Sequence, residues 1–347
     1  MKYIVPLLFL VCCSCNKSSN LFMGEMKIVS TFQQEQHLPG SLVEGIDSIG
    51  VFGITFFKDY KLIKMNRLPY FIRIYQGEAN QFKGNYFYKG KGPNDYLDLS
   101  PTHQQMDSLL IAYDFYQYKL FLIDLVEKES HIRAERVKEI ECKGFWDPLK
   151  AFYLNDSMVL MKSVYIENKA YRLAYSFYNY KRNKILENYL PLYRECLRYS
   201  EMNWIYSGAD ALKPDQTKIV SVTGAFNQID ILDLHDPSRS FSISTSKENL
   251  TVEDLKSYAN SNTEEELHEY YFPPKCNDQY IIALYQPKNS LQKEFHVISW
   301  EGKPLYHLPI EEPLNSFDVD WKNAVLYGLT EDGIIYAYKL SFLLHPA

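Results

Sequence analysis

Short hydrophobic runs, most of five to eight residues, recur along the chain, and polar or turn-forming residues separate them. Two stretches, SLLIAYDFYQYKLFLIDL (108–125) and TKIVSVTGAFNQIDILDL (217–234), share one form: an apolar run, a polar-aromatic turn, and a second apolar run ending in Asp-Leu. Runs of this length that end at Asp, Asn, Gly or Pro are typical of antiparallel strands. The pattern therefore predicts an all-β fold built from repeated hairpins.

The spacing of these repeats favours a β-propeller, in which four to eight small sheets surround a central axis. Six blades of the 333 residues after position 14 would take about 55 residues each. Because ordinary blades are shorter, the length alone favours seven or eight. A β-sandwich or a large barrel would also contain many short strands.

The two ends of the chain predict how the ring closes. The C-terminal part supplies only three strand-like runs, 316–319, 324–329 and 333–340. An isolated run at 26–32 precedes the first full unit, and we expect it to complete the last blade as its outermost strand. Closure would cover a sheet edge that otherwise invites aggregation.

One segment departs from the strand pattern. Thr251 followed by Asp254 is a helix-start signal, and two prolines at 273–274 end any helix that begins there. We expect a short helical insertion near 251–270 on one rim of the domain.

Composition supports the β prediction and restricts the partners. The chain has 29 Tyr and 20 Phe, residues that suit pleated, half-buried surfaces. Its net charge is −6, and its Lys and Arg residues are scattered. Nucleic-acid binding requires a basic patch or stripe, so we expect no nucleic-acid partner.

The N-terminus has the form of a bacterial lipoprotein signal. Met1-Lys2 is followed by the apolar run 3–11 and then by CCSC, in which Ser14 precedes Cys15. We predict a signal peptide at 1–14, lipidation of Cys15, a tether at 15–25 and a single propeller domain at 26–347. An ordinary signal peptide that happens to contain cysteines is the alternative. No other apolar run approaches 18 residues, so we expect an anchored protein rather than one that spans the membrane.

The segment GKGPND (90–95) could be mistaken for a phosphate-binding loop. It lacks the Gly-Lys-Ser/Thr ending of a P-loop, and Asp95 stands where a dinucleotide-binding fingerprint needs its third glycine. We predict a rigid corner between two blades. Gly90 and Gly92 permit positive φ, Pro93 pushes Gly92 toward extended geometry, and Asn94 or Asp95 closes the turn. A ligand contact is the alternative.

Other candidate sites have simpler structural interpretations. Asp318, Asp320 and Asn323 fit a strand-connecting turn better than a calcium loop. The eight histidines are dispersed, and His268 beside Glu269 would not share a helix face with it. The cysteines Cys142, Cys196 and Cys276 are far apart, so we expect unpaired, packed thiols rather than a disulfide or a metal site. We expect no catalytic residues, no cofactor and no bound metal.

Several segments together resemble the TolB-like six-bladed β-propeller lipoproteins of gut-dwelling Gram-negative anaerobes. They are GKGPNDYL (90–97), IAYDFYQYKLFLID (111–124), KIVSVTGAFNQIDILDL (218–234), DQYIIALY (278–285) and the long C-terminal stretch 298–340. The C-terminal stretch is the most specific, because W-x-G-K-P, D-x-D and L-Y-G follow in order. Asp95 departs from the family pattern, which usually has Glu. The resemblance implies six blades and no established catalytic residues.

These observations predict a monomeric, lipid-anchored envelope protein that binds a peptide, a glycan or a partner protein at one rim of the propeller. A hydrolase or lactonase with its site in the central channel is the alternative. Propellers serve both functions, so the fold cannot separate them. The tether sequence NKSSN lacks an acidic run, which favours the periplasmic face of the outer membrane over the cell surface.

Overall fold

The computed structural model describes residue 22 and residues 24–344, except 67, 103, 105, 107, 129–130, 143–147, 168–169, 192–207, 246–267 and 289. The described strands form six sheets, and each sheet is one blade of a β-propeller. The first strands of the described residues are short: β1 (Glu25–Ile28), β2 (Gln34–Glu35) and β3 (Ser41–Leu42). The predicted six-bladed fold is confirmed, and the preference for seven or eight blades from length alone is wrong.

The blades follow one another along the chain. Blade 1 contains β4 (Val51–Phe57), β5 (Tyr60–Met65), β6 (Tyr70–Gln76) and β7 (Gln81–Tyr88). Blade 2 contains β8 (Ser100–Pro101), β9 (Leu109–Asp114), β10 (Lys119–Lys128) and β11 (His131–Glu141). Blade 3 contains β12 (Pro148–Asn155), β13 (Met158–Glu167), β14 (Ala170–Asn179) and β15 (Lys184–Pro191).

Blades 4 to 6 complete the ring. Blade 4 contains β16 (Ala209–Leu212), β17 (Lys218–Val222), β18 (Ile229–Asp233) and β19 (Phe241–Ser244). Blade 5 contains β20 (Lys275–Cys276), β21 (Tyr280–Tyr285), β22 (Glu294–Ser299) and β23 (Pro304–Pro309). Blade 6 contains β24 (Leu314–Asp320), β25 (Val325–Thr330) and β26 (Ile335–Lys339).

The hydrophobic core lies between neighbouring blades. Middle strands are buried on both faces, which is why β10 carries the unbroken apolar run Leu120–Ile123. Phe121 and Ile123 pack in one cluster with Leu62 and Ile74 of blade 1. First strands lie nearest the axis, where the Asp318 carboxylate of β24 accepts a hydrogen bond from the Phe56 N–H of β4 at 2.8 Å. This bond joins the last blade to the first.

The N-terminal segment 24–43, called the strap below, adds a strand to each of three blades. Strand β3 pairs with β26 through Ala337↔Ser41 and completes blade 6 as its fourth strand. Strand β2 pairs in parallel with β23 of blade 5. Strand β1 pairs in parallel with β19 of blade 4, so blades 4 and 5 have five strands.

The prediction that an N-terminal strand closes the last blade is confirmed, but the predicted strand is wrong. Residues 26–28 of the predicted run lie in β1 on blade 4, and the strand that closes blade 6 is the two-residue Ser41–Leu42. A strand of two residues carries no apolar alternation, so the pattern gave it no signal. Any exposed sheet edge can accept the run at 26–32, and the pattern does not specify which one.

The strap is also held by backbone hydrogen bonds and by one buried side chain. The N–H groups of Gln36 and Leu38 donate to the carbonyl groups of His307 and Pro309 at 3.0 and 3.1 Å. The Leu38 side chain is only 1% exposed and lies in the core cluster between blades 5 and 6. The strap is therefore part of the packed domain.

The predicted helical insertion falls largely on residues 246–267, which lie outside the described residues, as do Cys15, the signal peptide and most of the tether. Within the described ranges the helical elements are two short 3₁₀ turns, Pro237–Arg239 and Ser341–Leu343. No helix there is long and apolar enough to cross a membrane.

Candidate functional site

The antiparallel order of each blade divides the turns between two ends of the ring. Turns after first and third strands lie at one end, and turns after second strands lie at the other with the connections between blades. At the first end, the central channel opens into a cavity of about 300 Å³. Its lining includes Phe56 and Lys58 of blade 1, Lys275 of blade 5, and Asp318 and Trp321 of blade 6.

The charged groups near the axis form lysine–aspartate pairs that connect neighbouring blades. Lys275 lies 3.9 Å from Asp318, measured from Nζ to Oδ1. Burial lowers the pKa of Lys275 to about 8. The Lys162 ammonium of blade 3 donates to both carboxylate oxygens of Asp210 in blade 4 at 2.9 and 3.1 Å, and both side chains are 0% exposed. The Nζ of Lys150 donates to the Asp210 carbonyl group at 2.7 Å.

A channel hydrolase activates water with convergent acids, histidines or a metal. The cavity lining contains no histidine among its described residues, and Asp318 is held by Lys275 and Phe56. These lysine–aspartate pairs join neighbouring blades to one another.

The GKGPND segment is a corner, as predicted, and it connects β7 of blade 1 to β8 of blade 2. The Gly92 N–H donates to the Asp95 carboxylate at 2.9 Å, and the Gly90 N–H donates to the Tyr96 carbonyl group at 3.1 Å. Neither Gly90 nor Gly92 uses the positive φ that glycine permits. A Cβ at Gly90 or Gly92 would lie 2.3 or 2.7 Å from Oδ2 of Asp95, so a larger residue there would displace the carboxylate that closes the turn.

The suspected calcium loop is a turn, also as predicted. The Asp320 carboxylate accepts hydrogen bonds from the backbone N–H of Asn323 at 3.1 Å and from the side-chain amide of Asn323 at 2.7 Å. Cys142 and Cys276 are buried free thiols, and Cys196 lies outside the described residues. The ring of His268 lies 2.9 Å from the Gln286 carbonyl group, measured from Nε2.

A cluster that the sequence reasoning missed lies on blade 5, at the other end of the ring. Glu294 and His296 are two residues apart on β22, so their side chains share a face. The hairpin to β23 places His307 directly opposite His296. The sequence signal was present: the pair Glu-x-His is followed by a hairpin turn around Gly302 (φ 86°) and by a histidine on the returning strand.

Hydrogen bonds hold these three side chains together. Glu294 accepts from Nε2–H of His296 at 2.8 Å through Oε1 and from Nε2–H of His307 at 2.7 Å through Oε2. Nδ1 of His296 lies 3.1 Å from the Tyr271 hydroxyl group. Nδ1 of His307 lies 3.6 Å from the carboxylate of Glu35, which belongs to the strap. Each imidazole is therefore oriented through both of its nitrogen atoms.

Burial and charge set the protonation of the cluster. Burial lowers the pKa of His296, although its hydrogen bond to Glu294 opposes this. The hydrogen bond to Glu294 raises the pKa of His307, although burial opposes it. Burial alone would raise the pKa of Glu294, but hydrogen bonds from both histidines outweigh it and lower that pKa to about 2. Glu294 is thus an anion throughout the physiological range.

The cluster forms one wall of a hollow of about 430 Å³, called the histidine pocket below. The strap supplies another wall, where Phe32 packs with its ring centroid 4.7 Å from that of His296 and 5.7 Å from that of His307. Tyr285 stacks on His296 at 4.6 Å. Blade 4 contributes Thr245. Three parts of the chain therefore converge on one compact hollow.

Comparisons with known proteins bear on the fold. No family model matches the chain, and no curated protein matches it. Among solved structures, it is similar to a Bacteroides fragilis protein described as a "putative exported protein", with 13% identity and a TM-score of 0.51 over 91% of this chain and 98% of that chain. At this identity the likeness shows the fold alone.

The β-propeller domain of Cps50 (Swd1) from Myceliophteria thermophila is a more distant match. It has 11% identity and a TM-score of 0.42 over 87% of this chain and 100% of that domain. A likeness this low adds nothing to the assignment.

Proposed function

We propose that this protein is a lipid-anchored binding module of the cell envelope and that its ligand site is the histidine pocket. The observation that carries the proposal is the convergence of aromatic rings and polar groups from the strap, blade 4 and blade 5 on one hollow. A volume of about 430 Å³ lies within the range of small-ligand sites, about 300–1,000 Å³. Such sites combine apolar walls with a few placed polar groups.

The lining favours a glycan among the three ligand classes that the sequence predicts. Glu294, His307, Thr245 and the hydroxyl groups of residues 30 and 31 offer both hydrogen-bond donors and acceptors, which match sugar hydroxyl groups. Phe32 and Tyr285 supply rings for the apolar face of a sugar. A peptide that adds a strand at the pocket would need the edge of blade 4 or 5, and the strap already pairs with β19 and β23 there.

The ligand proposal is tested on protein purified from membranes in detergent, by glycan-array screening followed by calorimetry with the best glycan. Phe32→Ala removes a pocket wall and should weaken binding about tenfold or more, whereas Tyr116→Ala removes an exposed ring on blade 2 and should change nothing. The proposal fails if no glycan binds, or if both variants bind as tightly as the wild type.

The anchor has its own test. Cys15 follows a short apolar segment and Ser14, and the Bacteroides fragilis protein of similar fold is described as exported. The resemblance to TolB-like lipoproteins also supports an outer-membrane anchor. Cys15→Ala should abolish palmitate labelling and release the protein from the membrane fraction, whereas Cys13→Ala should do neither. Continued labelling of Cys15→Ala would show that another residue is the acceptor.

Catalysis at the channel is the second candidate, and Lys275 is the observation that favours it. A buried amine with a pKa of about 8 is partly deprotonated near neutral pH and can act as a nucleophile. A lactone or ester screen with Lys275→Met as the matched variant tests it. Turnover that persists in Lys275→Met would remove this support.

A further inference from the structure

We propose that Glu294, His296 and His307 bind a divalent transition-metal ion, for which zinc is the best match, on the wall of the histidine pocket. The protein ligands would be Nε2 of each histidine and one carboxylate oxygen of Glu294. A fourth position would face the hollow. This inference deepens the proposed function and rests on it, because the ion would contact the pocket's ligand.

The first support is the position of the three ligand atoms, which all lie within 4.8 Å of one another. Two nitrogens and a carboxylate oxygen are a set that binds zinc in catalytic and other open sites. Zn–N distances of about 2.0–2.1 Å place the ligand atoms of a tetrahedral site about 3.3 Å apart. Closing around an ion therefore requires movements of about 1 Å. His307, whose side chain is 25% exposed at the pocket wall, can supply them.

The second support is the outer set of contacts. Metal-binding histidines usually donate their other ring N–H to a carboxylate or another oxygen, which fixes the ring orientation. Here Nδ1 of His296 faces the Tyr271 hydroxyl group at 3.1 Å, and Nδ1 of His307 faces the Glu35 carboxylate at 3.6 Å. Both Nε2 atoms are thereby directed toward Glu294, where the ion would lie.

The charge of the cluster also suits a cation. A divalent ion would replace the two protons that the histidines share with Glu294, and it would leave the carboxylate paired. Imidazole ligands favour zinc and its neighbours in the transition series, whereas magnesium and calcium prefer oxygen ligands alone. An open fourth position could accept an oxygen atom of a glycan. This would explain why the cluster borders a hollow.

The test measures zinc alone, so it does not depend on knowing the glycan. Tag-free, detergent-purified protein is stripped with a chelator and titrated with ZnCl₂ by calorimetry, and Co²⁺ absorption reports the coordination geometry. The wild type should bind one ion at this site. His307→Gln should weaken binding about 100-fold, and Glu35→Gln about tenfold, through loss of the outer contact. His37→Gln and Glu311→Gln change an exposed pair nearby and should leave binding unchanged.

Thermal melts check that each variant is folded, and zinc should raise the melting temperature of the wild type but not that of His307→Gln. Absence of zinc binding, or equal binding by wild type and His307→Gln, overturns the inference. If zinc does not bind but a glycan still binds in a Phe32-dependent way, the metal inference fails and the proposed function stands. If zinc binds and no glycan does, the metal inference stands and the proposed glycan-binding function fails.

Discussion

Leu38 should be the residue through which the strap contributes most to stability. Its side chain is 1% exposed and packs in one cluster with Leu308, Ile310 and Tyr338. Leu→Ala changes at buried sites cost about 2–5 kcal/mol, with the higher values where the surroundings cannot collapse into the cavity. The neighbours of Leu38 lie on or beside paired strands of two blades, so we expect a loss of about 3–4 kcal/mol.

The assay is equilibrium urea unfolding followed by the fluorescence of the four tryptophans. With a denaturant slope of about 3 kcal/mol/M, Leu38→Ala should lower the urea midpoint by about 1 M. Leu42→Ala is the matched control, because Leu42 belongs to the same strap but is 58% exposed. Surface changes of this kind usually stay within about 0.5 kcal/mol.

Two results would refute this reasoning. In the first, Leu38→Ala and Leu42→Ala have the same midpoint, which would mean that the Leu38 side chain contributes no packing energy. In the second, Leu38→Ala makes residues 24–43 sensitive to protease while the midpoint is unchanged. The strap would then detach by local unfolding and would not belong to the cooperative unit.

Two further predictions concern buried ionisable groups. Lys162→Met leaves Asp210 without its main buried partner and should lower the free energy of unfolding in urea by about 3–5 kcal/mol. Combining Lys162→Met with Asp210→Asn should recover much of this loss. An unchanged urea midpoint in Lys162→Met would contradict the prediction. Burial raises the pKa of Cys142 from 9.0 to about 12, so between these pH values the folded state keeps a proton that the unfolded state loses, and stability falls as pH rises. The stability advantage of wild type over Cys142→Ala should therefore shrink above pH 9, and a constant difference between pH 8 and 11 would contradict it.

Much of the fold could be predicted because the middle strands of the blades have a recognisable sequence pattern. Runs such as Leu120–Ile123 are buried on both faces, so they appear as unbroken apolar segments. The number of blades required the resemblance, since six blades take about 55 residues each and the length alone favoured seven or eight. The strand that closes the ring was missed because Ser41–Leu42 is paired through its backbone, and backbone pairing leaves no pattern in two residues.

The candidate site was missed for a different reason. Glu294 and His296 are adjacent on one strand face, but their meeting with His307 depends on the register of a hairpin with a β-bulge. Their contact with Glu35 and Phe32 depends on where the strap pairs, and the predicted pairing of the strap was wrong. A search for E-x-H followed by a histidine across a tight turn would have found Glu294, His296 and His307. It would have missed the two strap residues, Glu35 and Phe32.

The strap also has a consequence for the order in which the ring assembles during synthesis. Residues 25–28 are made early, but their partner strand at 241–244 follows more than 200 residues later. The partners of the strap appear in the same order as its own strands, first 241–244, then 306–307 and finally 336–337. The strap can therefore pair with one blade at a time as the chain lengthens. Ring closure must wait for almost the whole polypeptide, and such distant pairings make a slow last step in folding. Until that step, a nascent chain carries both an unpaired edge and the segment that covers it, so chains that stall before residue 336 should be the ones most prone to pair with each other.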